Sequence, residues 1–179
     1  TLLGSAYMAN KQFAEARKIF ERAEQEQPYS ATVQTRLALS KLALGDQETA
    51  IEHLKKAVDF DSKIGRAEVL LGMLQIKKGN YDAAITTAYD LARKEPQNPF
   101  PHNLAGAALM WAGERKKAQM RFLKALKLAP AYAPAKYNLA SLYLSERKTG
   151  PARKLYMELL KQNKNDTRVM IELSKLAEG

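Results

Sequence analysis

Cysteine is absent from the 179 residues, which removes disulfides, thiolate metal sites and cysteine nucleophiles in one step. A chain without cysteine is equally at home in a cytosol and in a periplasm. Glycine and proline are scarce, at 9 and 7 residues, so neither a loop-rich nor a low-complexity chain is expected. No apolar run approaches the roughly 20 residues that a membrane-spanning helix needs. The opening Thr1-Leu2-Leu3 has no basic flank, apolar core or cleavage site of a targeting signal. With no initiator methionine, the chain reads as a piece excised from a longer one. What is present is 46% hydrophobic and dominated by Ala, Leu, Lys, Glu and Arg, the make-up of packed amphipathic helices.

The formal charge of +10 is distributed unevenly. Residues 1–89 carry 12 Lys and Arg against 11 Asp and Glu, whereas residues 90–179 carry 17 against 8. The basic surplus therefore belongs to the second half.

Aligned on its glycines and prolines, the chain repeats every 34 residues without an insertion. The first copy holds Leu3-Gly4, Tyr7, Ala16, Phe20, Ala23 and Pro28. The second holds Leu37-Ala38, Ala50, Leu54 and Ala57, and the third Leu71-Gly72, Gly79, Tyr81, Ala84, Ala88, Leu91 and Pro96. Gly106, Gly113, Ala118, Phe122, Ala125 and Pro130 mark the fourth, and Leu139-Ala140, Tyr143, Ala152, Tyr156 and Leu159 the fifth. This pattern resembles the tetratricopeptide (TPR) repeat. The resemblance implies an all-α fold, a right-handed α-α superhelix of about five helical hairpins plus a partial sixth. It divides the chain as one array: 1–30 (partial), 31–64, 65–98, 99–132, 133–166 and 167–179 (partial). Both ends fall inside a first helix, helix A, so the chain is expected to continue in both directions.

Each recurring residue type has a mechanical reason. The small residue at Gly4, Ala38, Gly72, Gly106 and Ala140 belongs where helix A crosses helix B, and a larger side chain would separate the pair. Gly45, Gly79 and Gly113 suit a left-handed C-cap after helix A. Pro28, Pro96 and Pro130 end helix B, because proline has no N–H to donate and biases the residue before it away from helix. In the fifth copy Arg147 takes the turn position, and Pro151 is expected in the first turn of helix B. Ser62 and Lys164 replace the closing proline and should soften those two turns.

The TPR resemblance implies a concave wall built from helix A positions 2, 5, 6, 9, 12 and 13, and a protein or peptide partner lying against it. The candidate binding residues are Arg36, Leu39, Met73, Ile76, Lys77, Phe100, Asn103, Met110, Trp111, Tyr137, Asn138 and Ser141. Methionine and aromatic side chains give an adaptable surface for an apolar or amphipathic segment. Leu42, Leu70 and Leu104 read equally well as packing residues. The carboxylate clamp of TPR co-chaperones needs Lys and Asn in the first groove positions, where Thr1 and Ser5 stand; only Asn138 fits that family slot.

No catalytic constellation, metal set or cofactor motif emerges, and the chain reads as a non-enzymatic scaffold. His53 and His102 sit on different repeats without an arranged acid partner, so a structural or surface role is expected for both. Glu52 and Lys56, four apart, suit a helix-surface pair. Arg115, Lys116, Lys117, Arg121, Lys124, Lys127, Arg147, Lys148, Arg153, Lys154 and Lys161 fall mainly on helix B and turns, hence on the convex side. They lack the interleaved aromatics that stack nucleic-acid bases. A solvated face is the first reading, and the alternative is an anionic-polymer binder, of polysaccharide or nucleic acid, in the basic half.

Residues 92–145, with Asn98-Pro99-Phe100-Pro101-His102-Asn103-Leu104 and the Phe-Leu-Lys-Ala-Leu-Lys-Leu run at 122–128, resemble the TPR lipoprotein of the bacterial PEP-CTERM exopolysaccharide system. That resemblance implies a bacterial cell-envelope protein, periplasmic and lipid-anchored through a segment outside these residues. A cytoplasmic location is the alternative.

Overall fold

A computed structural model describes residues 2–61 and 65–178, the side chain of Glu178 excepted. The described residues are helices joined by short turns: α1 (Leu2–Ala9), α2 (Phe13–Glu26), α3 (Ala31–Ala43), α4 (Gln47–Phe60), α5 (Gly65–Lys77), α6 (Tyr81–Lys94), α7 (Pro99–Trp111), α8 (Arg115–Leu128), α9 (Ala133–Ser145), α10 (Thr149–Gln162) and α11 (Thr167–Glu178). Odd-numbered helices are the A helices and even-numbered ones the B helices. The A helices from α3 onward begin at 31, 65, 99, 133 and 167, and the B helices at 13, 47, 81, 115 and 149. The 34-residue period of the sequence is thus the period of the helices.

The A-to-B turns share one chemistry. Gly45, Gly79 and Gly113 have φ of +87°, +79° and +82°, and the residue after each donates back to the carbonyl five residues earlier: Asp46 to Lys41, Asn80 to Gln75 and Glu114 to Leu109. That is the Schellman closure, which satisfies a carbonyl the helix end leaves open. Arg147 adopts the same left-handed conformation, at φ +59°, and so does Lys11. Lys148 donates to the Tyr143 carbonyl at 2.8 Å and Gln12 to that of Tyr7 at 2.9 Å. The B-to-A turns close by a shorter bond, as in Ser30 to Gln27 and Asn98 to Glu95. Asp166 makes the same bond to Asn163 at 3.2 Å, so the turn holding Lys164 keeps the geometry of the proline turns. Ser62 lies outside the described residues. Pro151 stands in the first turn of α10, where its missing N–H leaves no intrahelical bond unmade.

Contacts divide the chain into two compact units, residues 1–80 and 81–179. In the first, Phe20 packs with Ala16 and Leu37, and Leu54 with Ala38, Ala50, Ala57, Ala67 and Leu71. In the second, Phe122 packs with Leu109, Ala118, Leu139 and Leu142, and Tyr156 with Ala140, Ala152, Leu159 and Val169. The small helix A residues do what the sequence implied. A Cβ built on Gly4 would stand 2.6 Å from the Phe20 ring, and one on Gly106 2.5 Å from that of Phe122, closer than packed carbons approach.

Candidate functional site

In the second unit the helix A face is carried by α7, α9 and α11. Asn98 caps α7, its side chain accepting from the Phe100 N–H at 2.9 Å, and Pro99 follows in the first turn, with its φ preset for helix. On α7, Asn103, Met110 and Trp111 recur at helical spacing and share one side. On α9, Asn138 and Ser141 do the same. A hydrogen bond links the two helices: Asn138 Nδ2 donates to Asn103 Oδ1 at 2.9 Å. Asn103 is otherwise buried, so it holds the neighbouring helix in place more than it faces solvent.

Around this pair the face changes character along its length. Trp111 is 64% exposed, while Met110 is half-buried against the Leu109–Phe122 cluster. Phe100 is half-buried in the first turn of α7. Tyr137 meets Tyr156 edge to face at 5.6 Å between ring centres, and the Arg168 guanidinium of α11 lies 3.6 Å from the Tyr137 ring centre, a cation–π contact. Ser141 Oγ is 3.5 Å from the Tyr156 hydroxyl. Burial pushes that hydroxyl above its ordinary value, partly offset by the Ser141 contact.

The first unit carries the other candidates. Arg36 and Leu39 are half-buried on α3; on α5, Met73 is 54% exposed, Ile76 half-buried and Lys77 exposed. Leu42 and Leu70 pack against the Leu54 cluster, and Leu104 in the second unit is buried. Among the candidate positions the aliphatic side chains are thus at least half-buried, and the exposed ones are Met73, Lys77 and Trp111.

Of the structural and surface roles expected for His53, its contacts are structural, and they include the acid partner the sequence did not show. Its Nδ1 lies 2.6 Å from Gln34 Oε1 and 3.7 Å from Glu24 Oε1, while Gln34 Nε2 donates to Glu24 at 2.9 Å and to the Pro28 carbonyl at 3.3 Å. This polar cluster joins α2, α3 and α4, and Lys56 faces Glu24 at 4.0 Å. Burial holds the His53 pKa below 6.5, against the pull of Glu24. His102 is buried, His53 only half so; burial first, then Arg121 and Lys124, lower the His102 pKa. Among the described residues there is no group of three or more His, Cys, Asp or Glu able to hold a metal ion. Lys136, missed in the sequence, is buried and bonded to Glu158 at 2.8 Å. Its place between Ala135 and Tyr137 gave no periodic signal, because the partner lies on another helix.

Comparison with known proteins matches this architecture. Tetratricopeptide repeat models match residues 1–40, 35–99 and 133–166. The TPR repeat-containing thioredoxin TTL4 of Arabidopsis thaliana is 39% identical over 74 residues, 41% of this chain and 11% of that protein. BBSome complex member BBS4 of Bos taurus is 26% identical over 148 residues, 80% of this chain and 28% of that protein. The chain therefore spans well under half the length of either relative. Among solved structures, a thermophilic TPR protein of Thermus thermophilus superposes with a TM-score of 0.75 at 25% identity, covering 99% of this chain and 96% of that one.

Proposed function

The chain is built of tetratricopeptide repeats, and on that premise we propose that it is a non-catalytic scaffold that binds an apolar or amphipathic protein segment on its helix A face. The observation that carries the reading is Trp111, the sole tryptophan, left 64% exposed beside Met110 at the end of α7. A large aromatic exposed on a rigid helix is what an interface uses as an anchor, since it contributes contact area at little cost in conformational entropy. Its surroundings suit a peptide. The Asn103–Asn138 bond fixes the relative placement of α7 and α9, and Ser141 and Asn138 offer polar groups at the side of the apolar strip. Met73 and Lys77 give the first unit its own exposed positions on helix A.

The test is selection of binding peptides from a random library on the native chain, followed by titration of the Trp111→Ala and Met110→Ala variants. Loss of about tenfold or more in affinity for the selected peptides is expected on Trp111→Ala, the size of a hot-spot truncation. Selected peptides that bind both variants with native affinity would remove the site from α7. The resemblance of residues 92–145 to the PEP-CTERM lipoprotein supports a further part of the reading, an envelope scaffold in export or surface-polysaccharide assembly. Fractionation of cells expressing the full-length protein checks it: a membrane-associated periplasmic pool supports the assignment, and a wholly cytoplasmic one overturns it.

A further inference from the structure

The outward face of the second unit's B helices is basic and apolar together. Of the 14 residues of α8, six are Lys or Arg and none is acidic. Its outer face also exposes Met120 at 69% and Leu123 at 45%, and α10 exposes Met157 at 52%. Leu123 and Met157 are 34 residues apart and so hold the same register position on successive B helices. Met120, Leu123, Lys124 and Lys127 line an open depression of about 490 Å³. Lys116, Lys124 and Lys127 have no ion-pair partner among the described residues, whereas the nearby acids are taken: Glu114 by Lys117, Glu158 by Lys136 and Asp90 by Arg93. Arg121 lies 4.4 Å from the ring centre of Tyr89 on α6, so the outer faces of α6 and α8 adjoin.

One further detail sets α8 apart. The B helices α2, α4 and α6 each carry an acid in the first turn, Glu15, Glu48 and Asp82, where the helix dipole favours negative charge, and α10 has no charged residue in its first four. Helix α8 has Arg115, Lys116 and Lys117 there instead. This placement works against the helix, and a locally unfavourable choice kept on an exposed face points to a use outside the fold.

We propose that this face docks on an anionic lipid surface, with the cations over the headgroups and Met120, Leu123 and Met157 set into the headgroup–acyl boundary. Charge alone would suit a soluble polyanion equally. The exposed apolar side chains decide between them, since a phosphate or sugar chain gives them nothing to enter, whereas a bilayer interface does. The site is separate from the helix A face, and either can fail without the other.

The experiment is sedimentation of the native chain with vesicles of mixed phosphatidylglycerol and phosphatidylcholine, and with phosphatidylcholine alone. Binding is expected to the mixed vesicles only. It should fall steeply with salt and weaken about fivefold for each of Lys116→Glu and Lys124→Glu. The Met120→Ser/Leu123→Ser variant, with its helical circular dichroism unchanged, should also lose vesicle binding while its binding to heparin, a soluble polyanion, is unaltered. No binding to the mixed vesicles, or equal binding by the serine variant, overturns the proposal; so does an acidic amphipathic peptide that competes with the vesicles and binds more tightly than they do.

Discussion

Lys11 and Arg147 hold a left-handed backbone that three other turns give to glycine. A non-glycine residue there costs roughly 1 kcal/mol or more, so Arg147→Gly should raise the urea midpoint even after glycine's added entropy in the unfolded chain. Gly113→Ala should lower it. The contact between Gly106 and Phe122 sets a second expectation. Gly106→Ala forces a Cβ to within 2.5 Å of the ring and should destabilise by about 1–3 kcal/mol, with part recovered in Gly106→Ala/Phe122→Leu; urea titration of the single and double variants reads this. The two histidines set a pH dependence. Both pKa values are held below the ordinary 6.5, so the unfolded chain takes up protons more readily than the folded one. Their contribution is complete above 6.5 and is lost as pH falls below it through the depressed folded values. Unfolding midpoints measured from about pH 7.5 downward should therefore drop, and His53→Gln/His102→Gln should remove part of that drop; an identical profile in the variant contradicts the account. At this scale the sequence showed the glycines and small residues clearly, since each is the one type its backbone or neighbour tolerates. It did not show Lys11 as a turn residue, because nothing in a lysine side chain signals positive φ. Nor did it show the Glu24–Gln34–His53 cluster, whose members come from three helices and share no period.

At the scale of the element, α7 and α8 are contrasting solutions. Helix α7 is well started: Asn98 caps it, Pro99 presets its first turn, and Asn98→Ala should cost about 1 kcal/mol in thermal or urea unfolding. Helix α8 begins without a side-chain cap bond and with three cations against its dipole. Reversing one of them, Lys116→Glu, should bring a small gain in stability, a few tenths of a kcal/mol to about 1, together with the weakened vesicle binding. A gain in both, or a loss in both, would separate the charge from the role given to it. Helix boundaries were legible because turn glycines and closing prolines recur at fixed spacing. The partners of exposed side chains were not, since Lys56 meets Glu24 of another helix at 4.0 Å as well as sitting four residues from Glu52.

Across the whole molecule, the charge separates by unit. Residues 1–80 carry 12 Lys and Arg against 10 Asp and Glu, and residues 81–179 carry 17 against 9. The second unit therefore presents two surfaces of different chemistry, a helix A face with the exposed Trp111 and a cationic helix B face around Met120 and Lys124. The repeat made both readable in outline, because equal register numbers fall on equal faces. Burial within each face was not readable: Asn103 turned inward to bond Asn138 while Trp111 stayed out, and only the packing of α7 against α8 and α9 separates them. The central claim is that the helix A face holds a peptide at Trp111. Because Trp111 is the only tryptophan, its emission during titration with a library-selected peptide, run beside calorimetry, tests that claim directly. The account predicts a blue shift that saturates at the calorimetric stoichiometry as the exposed indole is covered. A calorimetric binding isotherm with no change in Trp111 emission would contradict it.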